Sequence, residues 1–244
     1  MSEPNYTLFC VSNRVPAEDY YCYDAFMKST EGMNKLMVAG IGTHYVGLCD
    51  KAKFLYRAIK YGHISTKYVI VSDVWDLVFC CQPEEIILRF LEQDCDVWVS
   101  AEKNCFPADY KDEYDKLPSP TEFKYLNSGM IVAYTDKMLE LLEEMKIEEI
   151  PTDYHDAEKG CNVHFVDQTE YGKAFLRQPV KMKLDYEQKL SRTLHNATLD
   201  ELDFSEERIR NISTNSSPCT IHFNGNGKSE NNLRATILEH LNLL

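Results

Sequence analysis

Two aspartates three residues apart, Asp73 and Asp76, follow directly on the β-branched run Tyr68-Val69-Ile70-Val71-Ser72. Open α/β sheets gather ligands beyond the carboxyl ends of their strands, and two carboxylates there can share a hard divalent cation such as Mn²⁺ or Mg²⁺. Such a cation bridges a diphosphate and neutralises the charge that builds up on a leaving group. Turns and helix caps use the same pair of residues, so the spacing alone leaves both uses open. Trp75 between them offers either a flat ring for a nucleobase or a core side chain. Much later comes Ile221-His222-Phe223-Asn224-Gly225-Asn226-Gly227-Lys228. Its imidazole can complete a metal site, its glycines let the backbone approach a ligand, and its lysine can meet a phosphate as a point charge. A plain Gly/Asn turn at a strand end is the alternative.

The elements that must position these groups alternate between strand and helix. Thr7 to Ser12 reads as a first strand and Asn34 to Ala39 as a second. Apolar residues Ala52, Phe54, Leu55, Ala58 and Ile59 follow helical spacing over Asp50–Tyr61, with Gly62 to end the helix. Lys67 to Ser72 is apolar enough to be covered on both faces, as in a central parallel sheet. A helix is predicted over Pro83–Gln93 and a strand over Asp96–Ala101. The polar, aromatic-rich stretch Glu102–Lys124 is the expected active-site loop. Leu126-Asn127-Ser128-Gly129 opens a strand at Met130–Tyr134, and helices are expected over Asp136–Met145, Gln168–Leu176 and Asn231–Leu244. The final helix carries an apolar stripe of Leu233, Ile237, Leu238, Leu241 and Leu244, whose commoner use is to close a core. The alternation implies a layered α/β sandwich.

Composition narrows the partners. With 44% hydrophobic residues the 244-residue chain has material for one sizeable core. No run approaches the roughly 18 apolar residues of a membrane span, and the start, Met1-Ser2-Glu3-Pro4-Asn5-Tyr6, does not resemble an export signal. Nine scattered cysteines without a C-x-x-C pair read as small hydrophobes in a reducing cytoplasm. A net charge of −13 argues against a broad nucleic-acid surface.

Asp73-Val74-Trp75-Asp76, Ser100-Ala101-Glu102 through Cys105-Phe106-Pro107, Leu126-Asn127-Ser128-Gly129, Asp167-Gln168 and His222-x-Asn224-Gly225 occur in one order. That order and spacing resemble the glycosyltransferase domain of the procollagen lysyl hydroxylase/glycosyltransferases, over about residues 7–230 of a single domain, 1–244. The resemblance implies a GT-A-type, Rossmann-like sandwich with a mostly parallel sheet, binding a UDP-sugar with Mn²⁺ or Mg²⁺. By the same resemblance Asp73, Asp76 and His222 fall on metal-ligand positions. Trp75 falls on an aromatic that stacks on uracil, and Lys51 on a lysine near the donor phosphates. Val11, Phe106, Gly225 and Lys228 join the donor site, Asn127 and Asn224 line the sugar, and Asp167 is the carboxylate that steers the sugar or acceptor hydroxyl.

Three departures from the family pattern bear on specificity. Phe106 stands where the family has tryptophan, Phe165-Val166 replace an acidic run before Asp167, and Phe223 replaces a glycine after His222. They imply a different sugar or acceptor beside an intact phosphate-binding apparatus. A free-standing, non-exported form suggests a hydroxymethylated pyrimidine in DNA as acceptor, with Lys103, Lys111, Lys116 and Lys124 as phosphate contacts. Those lysines are interspersed with Asp109, Asp112, Glu113 and Asp115, as on a mixed solvated face. Hydroxylysine or another protein hydroxyl is the alternative acceptor, and an inactive nucleotide-sugar-binding protein the alternative function.

Overall fold

The computed structural model describes residues 4–13, 22–33, 35–44, 47–156, 161–228 and 231–244. The strands are β1 (Tyr6–Val11), β2 (Leu36–Ala39), β3 (Tyr68–Ser72), β4 (Leu77–Phe79), β5 (Val97–Glu102), β6 (Tyr125–Tyr134), β7 (Tyr154–Asp156), β8 (Cys161–Val163), β9 (Met182–Leu184), β10 (Ser191–Thr193), β11 (Leu202–Asp203), β12 (Arg210–Asn211) and β13 (Thr220–His222). The helices are α1 (Tyr23–Ser29), α2 (Asp50–Lys60), α3 (Pro83–Leu91), α4 (Lys111–Asp115), α5 (Thr135–Glu144), α6 (Asp167–Arg177) and α7 (Asn231–His240).

The central sheet runs β2-β1-β3-β6-β5-β9. β1 pairs in parallel with β2 and β3, and β5 with β9, whereas β6 is antiparallel to both β3 and β5. The sheet is therefore mixed around β6 and parallel elsewhere. Alternation along the strands splits the core into two faces. Phe9, Val69 and Val71 meet Leu55 of α2, Leu141 of α5 and Tyr171 of α6, while Leu8, Ile70 and Val132 meet Phe26 of α1 and Phe90 of α3. A second sheet, β10-β13-β4, packs Val78, Ile221 and Phe223 against Leu233 and Ile237 of α7. No described helix is long and apolar enough to cross a membrane.

Most expected elements occur within a residue or two of their predicted ends, including Pro83 in the first turn of α3 and Gly62 at φ +78° after α2. Two differences bear on function. Leu126-Asn127-Ser128-Gly129 does not lead into a strand but lies inside the ten-residue β6. Its polar residues are tolerated there because they bond into the site described next. The helix expected from Gln168 begins one residue earlier, so Val166 holds the cap position and Asp167 opens the first turn of α6.

Candidate active site

The apolar run of β3 ends at Ser72, and the chain turns at the sheet's carboxyl edge. Asp73 is tied there by its backbone N–H to the carbonyl of Gly129 at 2.8 Å. Four residues later β4 begins and pairs with β13, placing Leu77 opposite His222. The backbone N–H of Phe223 donates to the carbonyl of Asp76 at 2.7 Å, which closes the pair. Two sequence-distant segments are thereby locked together, and one oxygen or nitrogen from each of Asp73, Asp76 and His222 lies within 4.8 Å of the others.

The tautomer of His222 follows from its neighbours. Nδ1 lies 3.1 Å from Asn127 Oδ1, an amide oxygen that can only accept, so Nδ1 carries the proton. Nε2 then turns its lone pair toward Asp73 Oδ2 at 3.5 Å and Asp76 Oδ1 at 3.4 Å. Orientation of a ligating imidazole by a bond to its far nitrogen is the usual outer shell of a metal site. Two carboxylates and one imidazole suit Mn²⁺ or Mg²⁺ better than a soft metal. Gly129 is required by this arrangement, since a Cβ there would lie 2.1 Å from His222 Cε1. A second cluster, Cys81, Glu85 and Cys219, has comparable spacing. Its carboxylate already accepts from Arg89 at 2.5 Å and Arg208 at 2.7 Å, and two guanidinium groups make a poor cation seat.

Lys51, on α2, reaches across the site. Its Nζ donates to Asp73 Oδ1 at 2.6 Å and to the carbonyl of Ser128 at 2.9 Å, and lies 3.4 Å from Asp167 Oδ2. Burial works to lower its pKa, but the two carboxylates outweigh that and hold the ammonium above its usual range. Asp167 is shifted upward by burial and by the nearby Asp73, with Lys51 and the Ser128 hydroxyl opposing. The two oxygens of Asp73 are thus divided, one toward lysine and one toward histidine.

A cavity of about 920 Å³ opens over this cluster, a size suited to a small-molecule ligand. Of the donor-site residues expected from sequence, Val11, Lys51, Trp75, Phe106, Asn127, Asp167, Asn224 and Gly225 all line it, together with the three metal-ligand candidates. Trp75 leans on Tyr23 with ring centroids 5.2 Å apart. Phe106 is exposed at the rim. The side chain of Lys228 lies outside the described residues.

Sequence reasoning missed the residue that knits the wall together. Glu102, at the end of β5, accepts from Asn127 Nδ2 at 2.9 Å, Gln168 Nε2 at 3.0 Å and Asn224 Nδ2 at 3.1 Å. Burial raises its pKa against those bonds. A charged residue closing an otherwise apolar strand was the available signal. Gln168 also donates to the carbonyl of Phe106 at 2.6 Å and accepts from the Ser128 N–H at 3.0 Å, joining the loop to β6. Lys103, Lys111 and Lys124 are engaged with Glu122, Glu201 and Asp115 in ion pairs.

Comparison with known proteins agrees with this geometry. The family model of the PLOD GT domain matches residues 18–240. An uncharacterized protein of Acanthamoeba polyphaga mimivirus is 32% identical over 165 residues, covering 66% of this chain and 32% of that protein. The multifunctional procollagen lysine hydroxylase and glycosyltransferase LH3 of Homo sapiens is 24% identical over 229 residues, covering 86% of this chain and 29% of that one. The chain spans about a third of the length of these curated relatives. Among solved structures, a glycosyltransferase involved in the glycosylation of the major capsid of PBCV-1 superposes with a TM-score of 0.52 at 13% identity, over 99% of this chain and 100% of that one. Mouse xyloside xylosyltransferase 1 in its apo form gives 0.52 at 14% identity, over 91% and 98%. At such identities the likeness is one of fold, the GT-A-type α/β sandwich.

Proposed function

The chain belongs to the PLOD GT-domain family of glycosyltransferases, and from that membership we propose that it transfers a sugar from a UDP-sugar to a hydroxyl group with the help of Mn²⁺ or Mg²⁺. The observation that carries the metal is the Asp73–Asp76–His222 cluster with the His222 tautomer set by Asn127. Bound there, the cation would polarise the donor diphosphate and stabilise the departing nucleoside diphosphate.

The chain's own residues account for the rest. Asp73, Asp76 and His222 hold the ion. Trp75 offers its ring to the uracil, and Val11 adds apolar contact. Lys51 balances Asp73 and Asp167 until a donor arrives, and is the nearest ammonium to the diphosphate. Glu102, Asn127, Gln168 and Asn224 form a bonded polar wall that orients the transferred sugar. Asp167 supplies the carboxylate that positions the sugar or the attacking hydroxyl. Residues 1–244 work as one domain, with α7 closing the second sheet, and the eight cysteines whose side chains are described, all free thiols, favour a reducing compartment such as the cytoplasm.

For the acceptor, ion pairing of Lys103, Lys111 and Lys124 together with the net charge of −13 favours a protein or glycan hydroxyl over hydroxymethylated DNA. The sequence relatives include a procollagen-modifying enzyme, and the solved neighbours act in capsid glycosylation and on a xyloside. The test is calorimetric titration with UDP and UDP-sugars, in Mn²⁺ and then EDTA. Binding that needs the metal and is lost in Asp76→Asn supports the proposal. Absence of UDP binding in every metal condition refutes it. Turnover by Asp167→Asn equal to the parent's would remove that carboxylate from the chemistry.

A further inference from the structure

The turn after β13 does more than carry Asn224. Asn224 Oδ1 accepts the backbone N–H groups of Leu194 at 2.8 Å and His195 at 3.0 Å, and Asn226 Oδ1 accepts that of Asn196 at 2.7 Å. These bonds clamp residues 194–196 against residues 224–226. The backbone N–H of Asn226 in turn donates to His195 Nδ1 at 3.2 Å. A ring nitrogen that accepts a hydrogen bond carries no proton, so the neutral imidazole bears its proton on Nε2. Gly225, at φ +57°, completes the seat, because a Cβ there would lie 2.0 Å from His195 Nδ1. The ring's position and tautomer are thus built in.

His195 lines the cavity, and the bond to Asn226 is its one side-chain hydrogen bond among the described residues, which leaves Nε2–H to a ligand. Its surroundings indicate which part of a ligand. Asn224, whose oxygen holds the backbone of His195, donates from Nδ2 to Glu102 Oε2 at 3.1 Å. His195 therefore belongs with Glu102, Asn127 and Gln168 to the polar wall, whereas Val11, Val74 and Trp75 supply the apolar one. A diphosphate is drawn to the Asp73–Asp76–His222 ion and a base to the apolar wall. A neutral N–H donor on the polar wall is matched to a neutral hydroxyl.

We propose that His195 is a specificity-determining residue for the donor sugar, its Nε2–H donating to a hydroxyl of the group being transferred. This rests on the UDP-sugar reading above. A site that hydrogen-bonds a substrate hydroxyl discriminates against analogues that misplace it, because a buried donor is then left unpaired.

The test compares the parent with His195→Ala and His195→Gln, titrating each in Mn²⁺ with UDP, UDP-glucose and UDP-galactose, two donors that differ in the orientation of one hydroxyl. The expected result is unchanged affinity for UDP in all three proteins. His195→Ala should bind the preferred sugar nucleotide roughly fivefold to tenfold more weakly, as loss of one neutral hydrogen bond predicts. His195→Gln, which keeps a side-chain N–H donor, should recover part of that loss or shift the ratio between the two sugars. Thermal melts of both variants check that the clamp with residues 224–226 survives. Equal weakening of UDP and UDP-sugars would assign the residue to the diphosphate and overturn the proposal, as would unchanged affinity for every ligand. A parent that binds no UDP would overturn the donor reading itself, a result distinguishable because it appears before any substitution.

Discussion

Gly129→Ala isolates the metal-site geometry with the smallest possible change. Gly129 lies in β6 with ordinary strand backbone, so alanine costs nothing conformationally and the effect is steric. The new Cβ would lie 2.1 Å from Cε1 and 2.5 Å from Nδ1 of His222, and 2.9 Å from Asn127 Oδ1. Carbon contacts become comfortable near 3.5 Å, so the ring must retreat by roughly 1.4 Å. His222 is buried, and its backbone is held in the β4–β13 ladder. Retreat therefore breaks the 3.1 Å bond to Asn127 and swings Nε2 off Asp73 and Asp76. Metal distances tolerate only about 0.2 Å. Mn²⁺ affinity should fall by at least the roughly 10- to 100-fold seen when an outer-shell partner is lost. Overpacking should cost about 1–3 kcal/mol, which lowers the melting temperature by several degrees in a protein of this size. Calorimetric Mn²⁺ titration and thermal unfolding read both effects. Gly62→Ala is the control: its φ of +78° makes alanine strained, yet nothing lies within 4 Å of the new methyl. It should lose stability and keep its Mn²⁺ affinity. Parental Mn²⁺ and UDP binding in Gly129→Ala would refute the assignment of His222 as a ligand.

Other perturbations test the same framework. Lys51→Met leaves Asp73 and Asp167 without their shared cation, and removing one partner of a buried ion pair costs about 3–5 kcal/mol; the lost melting temperature should be partly restored by Mn²⁺, and equal melting of variant and parent without metal would contradict the pairing. Glu102→Leu removes the acceptor for three amides and should lower sugar-nucleotide affinity more than UDP affinity, measured by the same titrations. Asp185, whose carboxylate caps the backbone N–H groups of Lys189, Leu190 and Ser191, is nevertheless pushed up to about 7 by burial. Its unfolded value is about 3.9, so between these limits the folded protein holds a proton the unfolded chain has released, and stability declines as pH rises through that window by a few kcal/mol. Urea midpoints from pH 4 to 8 should show the decline, and Asp185→Asn should flatten it.

The alternation of β-branched runs with amphipathic segments was enough to read an α/β sandwich, because burial of one face follows from local periodicity. β3 and α2, α3 and α5 lie close to their expected ends for that reason. The acidic pair at the end of β3 was legible too, since strand ends gather ligands whatever the rest of the chain does. What periodicity could not give was the reversal of β6, because strand direction depends on where distant segments find partners. Nor could it reveal that a charged residue ending β5 would gather amides from β6, α6 and the turn after β13. Glu102 announces itself only as a charge closing an apolar strand, and His195 carries no sequence signature of its own. Lys51 was expected at the donor phosphates, but its ion pairs with both Asp73 and Asp167 required α2, β3 and α6 to converge. Sequence determines which groups are available and which strand ends they occupy. The protonation and orientation of those groups are set by hydrogen bonds across the fold, and those exist only once the sheets have assembled.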